Sequence, residues 1–428
     1  MPDAAGKDAP FPTMGGTGCG TSIEQPVPCS DVAIYKYSAT GALEFITYLA
    51  GEDNENAGFV GLAPDGALVV AGTTDSADFP VTATALQPVY AGPPAVPTGG
   101  LGSPIGGDFF AAILDPVTGL LRSSTFLGGP NADSMGTAAL GADGSLYFLP
   151  VNLGAFSAGM PVTSGALQAA CESNPCQSGY VARLNPKLDR LIYGTYLPGI
   201  SQATAQLYSD GSVYYGGTAE AGFPTTPAAY QPQNAGGYDG IVARLDPTGS
   251  RFLFATYFGG PNTDWIYPIA VAPDGSVWAS VSSFIQCCFN IQYQLIHLDA
   301  SGSRLLADQP IDGVQMVLDV KGNLFALAYG NIMVSPDAIL GRSCGGPGYV
   351  ELSPVGQQLF ATYLPPDIFA FDGADTQGTP FLDASSGRVQ VVENQSTGPN
   401  VGCVVDAAGF GNEHLPAYFQ TPAHKTIR

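Results

Sequence analysis

One turn recurs along this chain and limits what it can fold into. Asp-Gly falls between apolar runs at Asp65-Gly66, Asp143-Gly144, Asp210-Gly211 and Asp274-Gly275, with looser forms at Lys321-Gly322 and Ser386-Gly387. Asp-Gly in such a setting signals a tight hairpin, because Gly accepts the positive φ that the turn needs. A second turn alternates with the first: ATG ending at Gly41, DPVTG at Gly119, NPKLD at Asp189, DPTG at Gly249, DASG at Gly302 and SPVG at Gly356. After it come TYLAG, TFLGG, TYLPG, TYFGG, a decayed ADQPI and TYLPP. Phe-Pro-x-Thr, or a relic of it, marks Phe11, Phe79, Met160 and Phe223. The runs between turns are rich in β-branched and aromatic residues and have strand length, with no helical spacing.

A four-stranded unit repeated six times cannot bury its faces alone and must stack on its neighbours. Radial stacking of such sheets predicts an all-β chain, a six-bladed β-propeller of four-stranded blades. Runs such as LFATYF are apolar at nearly every position, as expected of a blade sandwiched between two others. A β-helix would need a shorter, stricter period. Residues 31–50 read as the third and fourth strands of a blade, and 379–393 as its first and second. Together they would close the ring. Seven blades is the alternative count, but it requires a blade hidden in 285–400, where there is no room. The expected divisions are an N-terminal extension (1–30) with Cys19 and Cys29, a propeller (31–393), and a C-terminal extension (394–428) with one extra strand.

The order D-x-x-V-A-x-L-D-P-x-G, TYLGG, I-A-V-x-x-D-G-x-V-Y and F-P-T-T-x-x-A-x-Q, densest over 180–280, resembles the bacterial SBBP (beta-propeller) repeat family. The resemblance extends over roughly residues 10 to 400. It implies a propeller in a secreted or surface protein and carries over no catalytic residue.

Net charge is −22, with only 14 Lys plus Arg among 428 residues. Nucleic acid and anionic lipid both need basic patches, so neither is an expected partner. No stretch approaches the ~20 apolar residues of a membrane span. The first residues, MPDAAGKDAPFPTMGG, lack a charged-then-apolar leader pattern, so export would follow removal of a signal or another route. The cysteines argue for export independently. Cys19, Cys29, Cys171, Cys176, Cys287, Cys288, Cys344 and Cys403 all fall in connections between second and third strands. An even count confined to long loops reads as disulfides in an oxidising compartment. Cys19–Cys29 and Cys171–Cys176 are close enough to pair locally, while Cys287-Cys288 is a vicinal pair or two bridges. The spacings are not those of zinc sites, and His297, His414 and His424 cluster with none of them.

Catalytic motifs are absent: no Gly-x-Ser-x-Gly, no His-Glu-x-x-His, no phosphate-cradling Gly-rich loop before a helix. His297 reads as a buried or edge residue of the strand IQYQLIHLD. The inter-blade loops share an acid, Asp53 in GEDNEN, Asp133 in GGPNADS and Asp264 in GGPNTDW. Convergent carboxylates at a channel mouth could hold Ca²⁺ or a polyol; the competing reading is a loop cap, each Asp accepting backbone N–H bonds in its own turn. Trp265 could stack on a sugar or serve blade packing. No cofactor is expected beyond that Ca²⁺. The function classes are a secreted or cell-surface module that binds protein or carbohydrate or serves structural assembly without turnover, an extracellular lactonase- or lyase-like enzyme on the loop-bearing face, and a fibre subunit self-assembled through its tails.

Overall fold

The computed structural model describes residues 29–93, 107–131, 133, 137–149, 159–171, 178–198, 201–285, 291–329, 332–338, 341 and 348–363. The backbone of 20–21, 26–27, 380–383 and 388–391 is described as well. Regular structure among these residues is entirely β. Two strand pairs come first: β1 (Gly20–Thr21) with β2 (Pro26–Val27), and β3 (Val32–Tyr37) with β4 (Leu43–Leu49). Five four-stranded sheets follow. The first holds β5 (Glu55–Leu62), β6 (Leu68–Thr74), β7 (Asp108–Leu114) and β8 (Leu121–Leu127). The second holds β9 (Thr137–Leu140), β10 (Leu146–Leu149), β11 (Gly179–Leu184) and β12 (Leu191–Leu197). The third holds β13 (Ser201–Leu207), β14 (Val213–Ala219), β15 (Asp239–Leu245) and β16 (Phe252–Phe258). The fourth holds β17 (Thr263–Val271), β18 (Val277–Phe284), β19 (Ile291–Leu298) and β20 (Leu305–Gln309). The fifth holds β21 (Asp312–Leu318), β22 (Leu324–Tyr329), β23 (Gly348–Leu352) and β24 (Gln358–Tyr363). A last pair joins β25 (Pro380–Asp383) to β26 (Arg388–Val391).

Strand order follows chain order in every four-stranded sheet. This is the up-and-down meander of a propeller blade, and the chain has the β-propeller fold. The strand pairs β3–β4 and β25–β26, which the repeat assigns to one blade, stand as two-stranded sheets among the described residues. By packing the chain divides into two compact units, residues 1–224 with 244–253 and residues 225–243 with 254–428.

The turns form as the sequence dictates. Gly66, Gly144, Gly211 and Gly275 sit at φ of 81°, 81°, 87° and 85°. Each preceding Asp accepts, through Oδ1, the N–H two residues on, at Ala67, Ser145, Ser212 and Ser276. That is the Asx-turn chemistry that favours Asp at this position. β7 and β14 are buried at every position, so both faces of these strands are covered. In the first unit one core gathers Val69, Phe109, Phe148, Leu184 and Tyr196; in the second, Trp278, Leu295, Leu324 and Val350 share a core.

The Phe-Pro-x-Thr mark is a strap laid across the fourth strand of its own sheet. Phe79, Met160 and Phe223 are buried. Thr82, Thr163 and Thr226 donate their hydroxyls to the carbonyls of Ser124, Gly194 and Ala255. Farther along, Gln87, Gln168 and Gln231 donate N–H to the hydroxyls of Thr125, Thr195 and Thr256, at 2.9, 3.0 and 2.9 Å. The residue before each Gln reaches the next sheet: Leu86, Leu167 and Tyr230 donate N–H to the carbonyls of Leu188, Gly249 and Gly302. Those three acceptors have φ of 58°, 70° and 64°, so the turn's left-handed residue is also the point where the strap fastens.

Candidate functional site

The inter-blade loops place an acid at a fixed post, four residues on from the loop glycine and at or just before the first strand. Gly129 N–H donates to Asp133 Oδ2 at 2.8 Å, and Gly260 N–H to Asp264 Oδ2 at 2.8 Å. In the first loop the same post is held by Glu55, whose Oε2 accepts from Gly51 N–H at 3.0 Å. Each of these acids donates its own N–H to the preceding sheet, to the carbonyls of Ser30, Gly107 and Tyr238. Glu55, Asp133 and Asp264 are all buried. Their carboxylates cap their loops and their amides stitch one sheet to the next.

Asp53 has a different place. It is half-buried, its N–H donates to Ser76 Oγ at 2.8 Å, and burial together with the Asp78 charge raises its carboxyl above the ordinary range. Counting four residues from the loop glycine, as in GGPNAD and GGPNTD, would have selected Glu55. Asp53 and Asp133 share one neighbourhood: with Asp108 and Asp75 they act on the phenol of Tyr90, which burial first and these charges second push far above its usual range. Tyr90 donates its hydroxyl to the Pro93 carbonyl at 2.9 Å.

Asp108 and Asp239, which open third strands, went unremarked in the sequence. Both are fully buried. Asp108 Oδ2 accepts from Gln87 Nε2 and Ala91 N–H, and Asp239 Oδ2 accepts from Gln231 Nε2 and Ala235 N–H. Gln87 and Gln231 use their Oε1 to take the N–H of Gly128 and Gly259. Burial raises the Asp108 carboxyl to about 6. It raises Asp239 as well, with Asp264 adding to the effect. Each carboxyl ties the loop before its strand to the glutamine of its own strap. Among the described residues no set of three His, Cys, Asp or Glu is placed to hold a metal ion.

Trp265 follows Asp264 in sequence but points to the opposite face of its sheet. Asp264 pairs with Ser283 and Ser283 with Gln292, whereas Trp265 pairs with Ser282 and Ser282 with Tyr293. Directly paired residues share a face, and Phe284, two on from Ser282, shares it too. The Trp265 and Phe284 rings meet at 4.5 Å. Trp265 is 37% exposed and Tyr293 38%, so rings from two strands flanking β18 reach solvent on one face. Tyr293 was missed because only the strand register brings it beside Trp265.

Cys29 and Cys171 are disulfide-bonded. Cys19, Cys176, Cys287, Cys288, Cys344 and Cys403, and the C-terminal extension 394–428, lie outside the described residues.

No protein-family model matches the chain, and no curated protein matches it. Solved structures do. A protein of unknown function from Dyadobacter fermentans is 13% identical, with 86% of this chain and 95% of that one covered and a TM-score of 0.41. The β-propeller domain of the Trilobed protease from Pyrococcus furiosus is 8% identical, covering 81% and 94%, with a TM-score of 0.34. An acylaminoacyl peptidase from Pyrococcus horikoshii is 7% identical with a TM-score of 0.36; 77% of this chain is covered, which spans only 41% of that one. At these TM-scores the likenesses carry no conclusion about activity.

Proposed function

We propose that the chain is an exported propeller that binds a neutral carbohydrate without turning it over. The observation that carries this reading is the aromatic face on which Trp265 and Tyr293 reach solvent, with the half-buried Phe284 packed on Trp265. The acids of the neighbouring loops are buried and engaged with backbone N–H groups, so rings rather than carboxylates are on offer to a ligand. Aromatic rings present a large apolar surface at small conformational cost and stack on flat apolar faces, and a sugar's C–H face is such a surface. Trp265 and Tyr293 sit on strands two apart, about 9.6 Å by the usual inter-strand spacing, a span suited to neighbouring sugar units of one chain. The net charge of −22 disfavours a polyanionic glycan. Export is supported by the disulfide-bonded Cys29 and Cys171, since disulfides persist in oxidising compartments. Six blades is the count the repeat supports, with 31–50 and 379–393 supplying one; deletion of 379–428 should then abolish cooperative unfolding.

Electrophoresis through gels carrying a β-glucan, a galactomannan or an anionic polysaccharide tests the binding. Retardation by a neutral glycan is expected, weakened about tenfold in Trp265→Ala and in Tyr293→Ala, the scale of losing one aromatic anchor. No retardation by either neutral glycan, or retardation untouched by both substitutions, overturns the reading.

A further inference from the structure

Three strands of the repeat place a cation or its substitute at the same post. On β11, Arg183 donates to the turn carboxylate of Asp143 at 2.7 Å, lies 5.1 Å from the Tyr147 ring centre and donates to the Pro247 carbonyl in the next sheet at 3.3 Å. On β15, Arg244 pairs with Asp210 at 2.6 Å and lies 5.0 Å from the Tyr214 ring centre. On β19 the post belongs to His297. Its imidazole stacks on Trp278, 4.2 Å between centres and 6° from parallel. Nδ1 lies 2.7 Å from the Pro354 carbonyl in the next sheet, and Nε2 lies 2.8 Å from Ser276 Oγ. Ser276 Oγ in turn lies 2.6 Å from Asp274 Oδ1, the turn carboxylate.

We propose that His297 makes the junction between the β17–β20 and β21–β24 sheets a pH-responsive joint, where the equivalent arginines hold permanent charge. The proton count carries the argument. A carbonyl only accepts, so Nδ1 must hold a hydrogen and donate it to Pro354. In the neutral ring Nε2 is then an acceptor. Ser276 has one hydroxyl hydrogen and two acceptors in reach, Nε2 and Asp274 Oδ1, and can serve one. Uptake of a proton at Nε2 resolves the conflict: Nε2–H donates to Ser276 Oγ and the serine hydrogen turns to Asp274. The protonated joint is a continuous chain from imidazolium through serine to carboxylate, the counterpart of Arg183 with Asp143.

Burial opposes that charge and holds His297 below the ordinary histidine range, with the Pro354 carbonyl and the Asp274 charge pulling the other way. The cross-strand partners Trp278 and Ala307 and the turn Ser353–Gly356 carry no ionising side chain. The adjacent sheet carries Asp312, Asp319, Lys321 and Glu351 on its strands and turns, and Asp274 is the charge that acts on the ring. Because the folded-state pKa is lowered, the stability this residue confers is complete above the unfolded value of about 6.5. It falls as pH drops through that value toward the folded one.

The test uses the full chain with ¹⁵N-labelled histidine, and Trp265→Phe to leave Trp278 as the single tryptophan of the original two. At about pH 8 the His297 ring should be the Nδ1–H tautomer; on acidification toward about pH 5 it should become imidazolium, with a parallel change in Trp278 emission. His297→Arg should hold the emission constant across that range and lose less melting temperature on acidification than the parent. His297→Gln, which also cannot titrate, serves if the arginine variant does not fold. An Nε2–H tautomer at about pH 8, no titration before global unfolding, or an emission change that survives both substitutions overturns the proposal.

Discussion

The ring of Tyr193, on the last strand of one sheet, lies directly against Cα of Gly249 in the turn of the next: a Cβ on Gly249 would come within 2.4 Å of the tyrosine ring. Phe254 stands in the same way over Gly302, at 2.3 Å, and Phe45 over Gly119, at 3.1 Å. Each of these glycines also has a positive φ. Gly249→Ala should therefore destabilise twice over, through backbone strain and through collision with a packed ring, about 2–4 kcal/mol in all. Gly66→Ala is the control. Gly66 has a φ of 81° but open space where its Cβ would go, so only the backbone part, about 1 kcal/mol, should be lost. Equal losses at the two sites in denaturant titrations would show that the ring contact contributes nothing.

One junction inverts this fit. Where the other sheets carry Tyr193 or Phe254, β8 has Ser123, and the facing turn carries Leu188 in place of glycine, at φ 58° and 1% exposed. Ser123 donates its hydroxyl to the neighbouring Lys187 carbonyl. At the junctions of Phe45, Ser123, Tyr193 and Phe254 a large strand residue goes with a small turn residue, and the reverse, whereas Ala307 against Gly356 sets small on small. Tyr193→Ser should consequently relieve Gly249→Leu, leaving the double variant more stable than Gly249→Leu alone. Purely additive effects in that double-mutant cycle would separate the two positions energetically.

Gln231 clasps three parts of one sheet through its side chain and amide, serving Asp239, Gly259 and Thr256. Gln231→Ala removes one of the two donors to the buried Asp239 carboxyl and leaves the Gly259 amide without its acceptor, and should cost about 2–3 kcal/mol. Gln231→Glu keeps the shape but sets a second acid against Asp239, whose carboxyl already sits above its usual range. That variant should be weakest at neutral pH and recover on acidification toward about pH 5, where carboxyls begin to take up protons. A glutamate variant whose deficit is the same at both pH values would count against the contact.

The turns and strands were legible because each has local chemistry: Asp-Gly sets a hairpin, and Asp246-Pro-Thr-Gly249 sets another. The Phe-Pro-x-Thr mark was visible but its purpose was not, since Thr82 and Gln87 act on a strand some 40 residues later in the chain. The acidic post was found at Asp133 and Asp264 and misplaced by two residues at Asp53, because GEDNEN offers three acids and only the hydrogen bond from Gly51 selects Glu55. Trp265 and Asp264 looked like one site in sequence; alternation along β17 sends them to opposite faces.

Glu55 gives the clearest pH dependence in the first unit. Burial raises its carboxyl to about 7, against the hydrogen bonds from Ser76, Thr74 and Gly51, with Asp31 adding to the rise. A carboxyl raised above its unfolded value of about 4.3 holds a proton in the folded state that the unfolded chain releases. Folding is thus helped below the unfolded pKa and penalised progressively as pH rises toward 7, by an amount on the order of 3–4 kcal/mol once both states are ionised. Asp108, raised to about 6, adds in the same direction. Glu55→Gln keeps one acceptor oxygen for the loop and cannot ionise, so its melting temperature relative to the parent should rise between about pH 5 and pH 8. The His297 contribution is common to both proteins and cancels in that difference. A parent–variant gap that stays constant across the range would mean that Glu55 is ionised throughout.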